Sequence, residues 1–399
     1  MTAAAGTSPS QSDERRALGV ACGAHALHDG YTDLIYVMLP IWQQEFGLGF
    51  AVLGLMKTVF SGTLASFQIP SGFLAERFGT PIVLALGTAL AGIGYCLAGA
   101  SGGFMPLVAA LFVGGLGAST QHPLASSLIA RAYAGSRSLK MLGTYNFAGD
   151  IGKMTLPAAA SLLFVVLPWR HALILLGGLG VLAAIAIFAL IPRFGAEVHA
   201  SRKADGGTAP SRLTQFGFPL LLSVGVIDSA TRMAFLTFLP FVLTAKGASL
   251  PTIGLALTLV FAGGAAGKLV CAFIGARIGA VATVWLTEAV TALGIVALLP
   301  MSLDMALLVL PLIGVALNGT SSVLYGSVPD LVAADKRQRA FGIFYTGTIG
   351  AGAVSPALYG LLGDALGVPS ALMVVAAVVL LALPLTLALR PALASVKAS

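Results

Sequence analysis

The chain has 399 residues, 57% of them hydrophobic and only 9% charged, with mean hydropathy +0.95 and a formal net charge of +7. A soluble domain carries about 25% charged residues, so that class is excluded. Apolar runs of about 20 residues, each enough to cross the hydrocarbon as a helix, recur along the whole length, while the short alternating segments of a barrel do not, which makes this a polytopic, all-α membrane protein.

Twelve spans are predicted, at about 17–42, 51–75, 80–100, 104–130, 140–167, 171–191, 215–244, 251–275, 281–301, 305–328, 339–363 and 369–389. Residues 1–16 form a polar N-terminal tail. Its charges, Asp13, Glu14, Arg15 and Arg16, lead directly into the first span, which is not the layout of a signal peptide. Span 1 carries His25, His28, Asp29 and Asp33 ahead of Tyr36 and Pro40. A charge at the bilayer centre costs at least about 2.5–3.5 kcal/mol on insertion scales, and a segment that only anchors the chain has no reason to hold two. Asp29 and Asp33 are four residues apart, on a helix face shared with His25 and, one turn on, Tyr36. That face is predicted to look into protein or water.

Span 2 holds Lys57 and runs through Gln68 and Pro70 to GFLAERFG, Gly72 to Gly79, at a turn. Span 3 is plain apolar, with Gly87, Gly92, Gly94 and Gly99 permitting close helix contact. Span 4 carries GGLGASTQHP, Gly114 to Pro123, and with it His122. Span 5 carries Tyr145, Asn146, Asp150, Lys153 and Pro157, and span 6 is plain apolar.

Residues 193–214 form the one long polar connection, between an N-terminal six-helix bundle at 17–192 and a C-terminal one at 215–390, which a short tail, 391–399, follows. Beyond it, Asp228 and Arg232 lie on span 7, Lys268 on span 8, Glu288 on span 9, and Asn318 and Tyr325 on span 10. The halves repeat at an offset of about 200 residues: Pro40 meets Pro240, Gly47 meets Gly247, Gly54 meets Gly254, Arg77 meets Arg277, Gly79 meets Gly279 and Gly114 meets Gly314.

The basic residues follow the topology. Of the 22 Lys and Arg, Arg170 and Lys246 fall on one side, Lys57, Lys153, Arg232 and Lys268 fall within spans, and the others lie on the side that holds both termini and the 193–214 linker. By the positive-inside rule that side is cytoplasmic. The positive charge therefore implies no nucleic-acid partner. Cys22, Cys96 and Cys271 fall in apolar segments at no metal spacing and read as small core side chains, so no metal or cofactor is expected.

GFLAERFG resembles the loop motif between helices 2 and 3 of the major facilitator superfamily. It keeps Gly72, Glu76, Arg77 and Gly79, but has Thr80-Pro81 where the family has a basic pair; the second copy, at Gly275 to Ala280, has Ala276 in place of the acid. HALHD at His25 to Asp29, GLGASTQHPLASSLIA at Gly115 to Ala130 and GIFYTGTIGAGAVSPALYGLLGD at Gly342 to Asp364 resemble patches of fosmidomycin-resistance-type exporters. Span 5 departs from the glycine-rich helix of those exporters by carrying Asp150 and Lys153. The resemblance implies two pseudo-symmetric six-helix halves, with helices 1, 4, 7 and 10 lining a central cavity and 2, 5, 8 and 11 flanking it.

The buried charges admit two readings. Asp228 with Arg232, and Asp150 with Lys153, are spaced as local ion pairs. Lys57 and Lys268 have no carboxylate within one turn of their own helix, so they reach another helix, snorkel or meet an anionic ligand. Glu288 reads as a packing or peripheral charge. Asp29 and Asp33, assisted by His25 and His28, are the candidates for carrying a proton. Tyr36, Lys57, His122, Tyr145, Asn146, Asp150, Lys153, Asp228, Arg232, Lys268, Asn318 and Tyr325 are the candidate substrate contacts, and Gly72, Glu76, Arg77 and Gly79 the gating residues. The expected function is a proton-coupled carrier exporting a small polar or anionic organic compound across the inner membrane by alternating access. The alternative is import or exchange of an organic anion without a proton. A monomer is expected. The chain shows no HExxH or GxSxG motif or Cys–His arrangement that would suggest an enzyme.

Overall fold

The computed structural model describes residues 10–133, 136–192, 212–333 and 336–397. Every element among them is a helix: α1 (Gln11–Phe46), α2 (Phe50–Phe78), α3 (Thr80–Ala100), α4 (Phe104–Ala118), α5 (Gln121–Ala132), α6 (Ser136–Val166), α7 (Trp169–Leu190), α8 (Arg212–Ala245), α9 (Leu250–Ile278), α10 (Ala280–Leu298), α11 (Leu303–Leu331), α12 (Arg337–Leu366), α13 (Val368–Val379) and α14 (Ala382–Lys397). Eleven stretches are long and apolar enough to cross a membrane. The remaining predicted span is α1, set apart by the His and Asp residues at its centre. It starts within the predicted tail, where the Ser10 hydroxyl accepts from the Asp13 amide at 3.1 Å and so caps it.

Two predicted spans are each interrupted once, span 4 between α4 and α5 and span 12 between α13 and α14. The cause is the same in both. A proline ring clashes with the carbonyl four residues earlier and supplies no N–H to it. Pro123 stands four residues after Ser119, and Pro384 four after Leu380, where the interruptions begin. Ser119 and Thr120 stay in the right-handed helical region, so span 4 bends without ending.

The helices form two compact units. One comprises Met1–Ile35 with Val59–Ser201, the other Tyr36–Thr58 with Arg202–Ser399. Most of the predicted linker, 193–211, lies outside the described residues. The C-terminal end of α1 and the start of α2 belong with the second unit for visible reasons. Both oxygens of Asp364 accept from the first amides of α2, Phe50 N at 2.6 Å and Ala51 N at 3.0 Å. The Phe50 ring meets Phe241 at 5.1 Å between centroids, and Gly54 lies against the Pro356 carbonyl with no room for a Cβ.

The internal repeat is visible in the backbone. Gly47 and Gly247 turn the chain with φ of 63° and 86°, and Gly79 and Gly279 do so with 89° and 85°; no residue other than glycine has positive φ among the described residues. A side chain there costs roughly 1–2 kcal/mol, which explains why glycines recur at this offset. The packed cores repeat as well. Ala21, Ala24, Leu84, Leu124 and Leu128 in the first unit answer to Leu221, Val224, Val284, Leu324 and Val328 in the second.

Candidate functional site

Close contact between α1 and α6 builds the site in the first unit. A Cβ at Gly149 of α6 would stand 2.5 Å from His25 Nε2 and 2.6 Å from Asp29 Oδ2, and Gly152 lies directly on the Ala26 carbonyl. Tyr145 and Lys153 flank Gly149 one turn to either side, so they are delivered onto the same stretch of α1. The Tyr145 ring stacks on His25 with centroids 3.9 Å apart. The bend at Ser119–Thr120 carries His122, near the start of α5, against the same place. Its ring meets His25 at 5.1 Å and His28 at 4.9 Å, edge to face in both cases.

Asp29 is the centre. Lys153 Nζ lies 3.3 Å from its Oδ2, His25 Nε2 3.7 Å from the same oxygen, and His28 Nε2 and His122 Nε2 3.8 and 3.9 Å from Oδ1. The groups are layered by exposure. The Asp29 side chain is 8% exposed and His25 and His28 are buried, whereas His122 and Lys153 are each 31% exposed. The accessible face therefore presents an ammonium and an imidazole, and the carboxylate sits behind them. His25, Asp29 and His122 bring ligand atoms within 4.8 Å of one another, near enough to consider a metal ion. The Lys153 ammonium already occupies the carboxylate at salt-bridge distance and opposes a second cation there.

The other predicted residues separate into groups. Asp33 and Asp150 are buried in the first unit, while Asn146 is exposed. Gly79 holds the α2–α3 turn; Glu76 and Arg77 beside it are exposed, with the Arg77 guanidinium over the Phe78 ring. In the second unit Lys57 is buried with its Nζ 4.4 Å above the Tyr36 ring, and the Tyr36 hydroxyl donates to Met233 Sδ at 3.2 Å. Lys57 is thus held by an aromatic face from α1. Asn318 Nδ2 donates to its own helix at Gly314 O, 3.3 Å away, and fills the gap at Gly264, which is a packing role. Lys268 is partly buried. Tyr325 packs its ring on Phe344 at 5.1 Å.

Of the two readings given for Glu288, a packing or a peripheral charge, its burial fits the first. It is buried in α10, beside the buried Thr287 and Thr291 of the same helix. The available signal was the 200-residue offset. His28, Thr88 and Thr120 line one small cavity in the first unit, and Asp228, Glu288 and Thr320 stand at the corresponding positions of the second.

The Major Facilitator Superfamily model matches residues 21–226 and 221–398. The chain belongs to this superfamily. Its relatives include the Fosmidomycin resistance protein of Escherichia coli, 24% identical over 353 residues, covering 87% of this chain and 86% of the relative. The Probable sulfoacetate transporter SauU of Cupriavidus necator is 27% identical over 387 residues, covering 88% and 87%. Among solved structures, a bacterial homologue of the human lysosomal transporter Spinster superposes with a TM-score of 0.81 at 16% identity, over 96% of this chain and 98% of the other, and so shares the fold. This major facilitator chain is an integral membrane protein and a secondary transporter, not an enzyme.

Proposed function

We propose that this protein carries a small organic anion by alternating access, with substrate and proton linked through Asp29. The observation that carries the reading is the layering just described. Lys153 and His122 are accessible, and the carboxylate that neutralises Lys153 is buried behind them. An anion arriving at Lys153 competes with Asp29 for the ammonium. Once displaced, Asp29 is a buried carboxylate with its principal counter-ion engaged elsewhere, and it gains by taking a proton. Protonating Asp29 first releases Lys153 to the anion. Proton and anion thus favour each other's binding, and by linkage the effect is reciprocal. The sulfoacetate transporter relative is in keeping with an anionic substrate.

Equilibrium binding tests this. Affinity of the purified protein for sulfoacetate and related carboxylates is expected to rise as pH falls, and to lose that dependence in Asp29→Asn. Affinity that is flat with pH in the parent removes the proton and leaves a plain anion exchanger. The resistance-protein relative favours a second reading, export by exchange with a proton. Exchange requires competition, so affinity would then weaken as pH falls.

The basic residues orient the protein with both termini and the 193–214 linker in the cytoplasm, in the inner membrane and as a monomer. In this orientation Glu76 and Arg77 sit at a cytoplasmic turn and act on switching between states.

A further inference from the structure

We propose that His25, Asp29 and His122 form a binding site for a divalent transition metal ion, with zinc the expected occupant, and that the ion competes with the Lys153 ammonium for Asp29. The ligand atoms of the three residues lie within 4.8 Å of one another. His25 and Asp29 are one turn apart on α1, so a single helix face presents both donors. His122 reaches the same carboxylate from the start of α5. His25 Nε2 stands 3.7 Å from Asp29 Oδ2, and His122 Nε2 stands 3.9 Å from Oδ1. Both separations exceed a nitrogen-to-oxygen hydrogen bond, which spans about 2.7–3.2 Å. They are close to the spacing of metal ligands. Two donors, each about 2.0–2.1 Å from a tetrahedral zinc, stand about 3.3 Å apart, so a closure of about half an ångström seats the ion.

A second observation points the same way. His28 Nε2 is buried with no hydrogen-bond partner among the described residues, and it lies 3.8 Å from Asp29 Oδ1. A polar atom left so is costly, and an ion held at the carboxylate gives it a partner. His122 is partly exposed while Asp29 is buried, which leaves an ion a way in. The donor set selects among ions. Two imidazoles and a carboxylate suit zinc and its first-row neighbours, whereas magnesium and calcium favour sites built from oxygen alone. Lys153 sets the strength of binding. Its Nζ lies 3.3 Å from Oδ2, where an ammonium and a dication repel each other. The side chain is partly exposed and so has room to withdraw, and its own helix offers it the buried carboxylate of Asp150, three residues earlier. Asp29 thus faces either the ammonium or the metal ion.

Cobalt(II), a coloured stand-in for zinc, is the probe, added to the tag-free, full-length protein in nanodiscs. A single equivalent is expected to give the intense visible absorption of tetrahedral cobalt, which zinc displaces and magnesium and calcium do not. His122→Ala changes a partly exposed side chain and should weaken cobalt binding at least about 10-fold, since loss even of a group that only supports a ligand costs about 10–100-fold. The two remaining histidines of the chain, His171 and His199, are the control. Their joint replacement, His171→Ala/His199→Ala, should leave the absorption unchanged. Lys153→Met removes the competing charge and should tighten binding roughly 10-fold, a gain that a purely structural cluster would not show. The proposal is overturned if the parent gives only the weak absorption of octahedral cobalt, if His122→Ala binds as the parent does, if the control variant loses the absorption, or if Lys153→Met binds no more tightly than the parent. The parent titration needs no variant to fold. It uses neither substrate nor gradient, so the metal site and the coupling assigned to Asp29 stand or fall separately.

Discussion

Lys153 stands three residues after Asp150 on its own helix, yet it places its Nζ 3.3 Å from Asp29 on another. The pair ties α6 to α1 at the point where the imidazoles converge. Removing one partner of a buried ion pair costs about 3–5 kcal/mol, because the other charge is left uncompensated. Lys153 is partly exposed, which moves the value toward or below the lower figure. Lys153→Met is therefore expected to lower the thermal midpoint more than the double variant Asp29→Asn/Lys153→Met, in which Asp29 is no longer left charged without Lys153. Equal losses in the single and double variants would show that Asp29 does not depend on Lys153.

The helix contact that brings these groups together is the next test. A methyl group at Gly152 would enter the Ala26 backbone carbonyl, whereas one at Gly149 meets the His25 and Asp29 side chains at 2.5 and 2.6 Å. Backbone cannot rotate aside and side chains can. Overpacking costs typically about 1–3 kcal/mol, and we expect Gly152→Ala to reach or exceed the upper figure. Gly149→Ala should fold but bind substrate poorly, because it pushes His25 and the carboxylate apart. Thermal melting and ligand binding on the two variants separate the effects. A Gly149→Ala protein with parental affinity would place the binding site away from this cluster.

Much of this was legible in the residues. The duplicated half, the glycine turns at 47, 79, 247 and 279, and the polar face of span 1 could be read because each is a local requirement of the backbone or of the bilayer. The partners of the buried charges could not. Asp150 and Lys153 are spaced like a local pair, and spacing alone could not show that the glycines beside them allow α6 to approach α1 so closely that Lys153 also reaches Asp29. For Lys57 the sequence left open whether it reaches another helix, snorkels or meets an anion, and a ring of α1 lies under its ammonium. Glu288 read as a packing or a peripheral charge, and spacing within its own helix could not decide between them; its burial does.

Asp364 supplies a third prediction. Its carboxylate accepts from Phe50 N and Ala51 N at the start of α2, where unpaired amides and the helix dipole both favour a negative charge. Loss of such a cap costs about 0.5–2 kcal/mol. In Asp364→Ala the amides at the start of α2 should exchange hydrogen faster, while those at the centre of α7 keep their parental rates. Asp364→Asn retains one acceptor and should fall between. Unchanged exchange at Phe50 and Ala51 in the alanine variant would show that the segment is held without the cap.

The coupling claim rests on Asp29. Carriers can use a buried carboxylate when its proton affinity differs between the two access states, and on the proposed reading the position of Lys153 would set that affinity. Asparagine mimics the protonated form and removes the charge step. It also removes the Asp29 charge from beside Lys153, so an anionic substrate should still bind. Asp29→Asn is therefore expected to lose transport driven by a pH gradient while keeping exchange of substrate down its own gradient. Asp33, buried one turn on, is the second candidate. The assay is uptake into proteoliposomes with and without a pH gradient, on the parent and on each variant. If Asp29→Asn and Asp33→Asn both respond to the gradient as the parent does, the proton does not travel on this helix. Asp29 is then the fixed counter-ion of Lys153, and the accessible lysine and His122 remain as the anion contact of an exchanger.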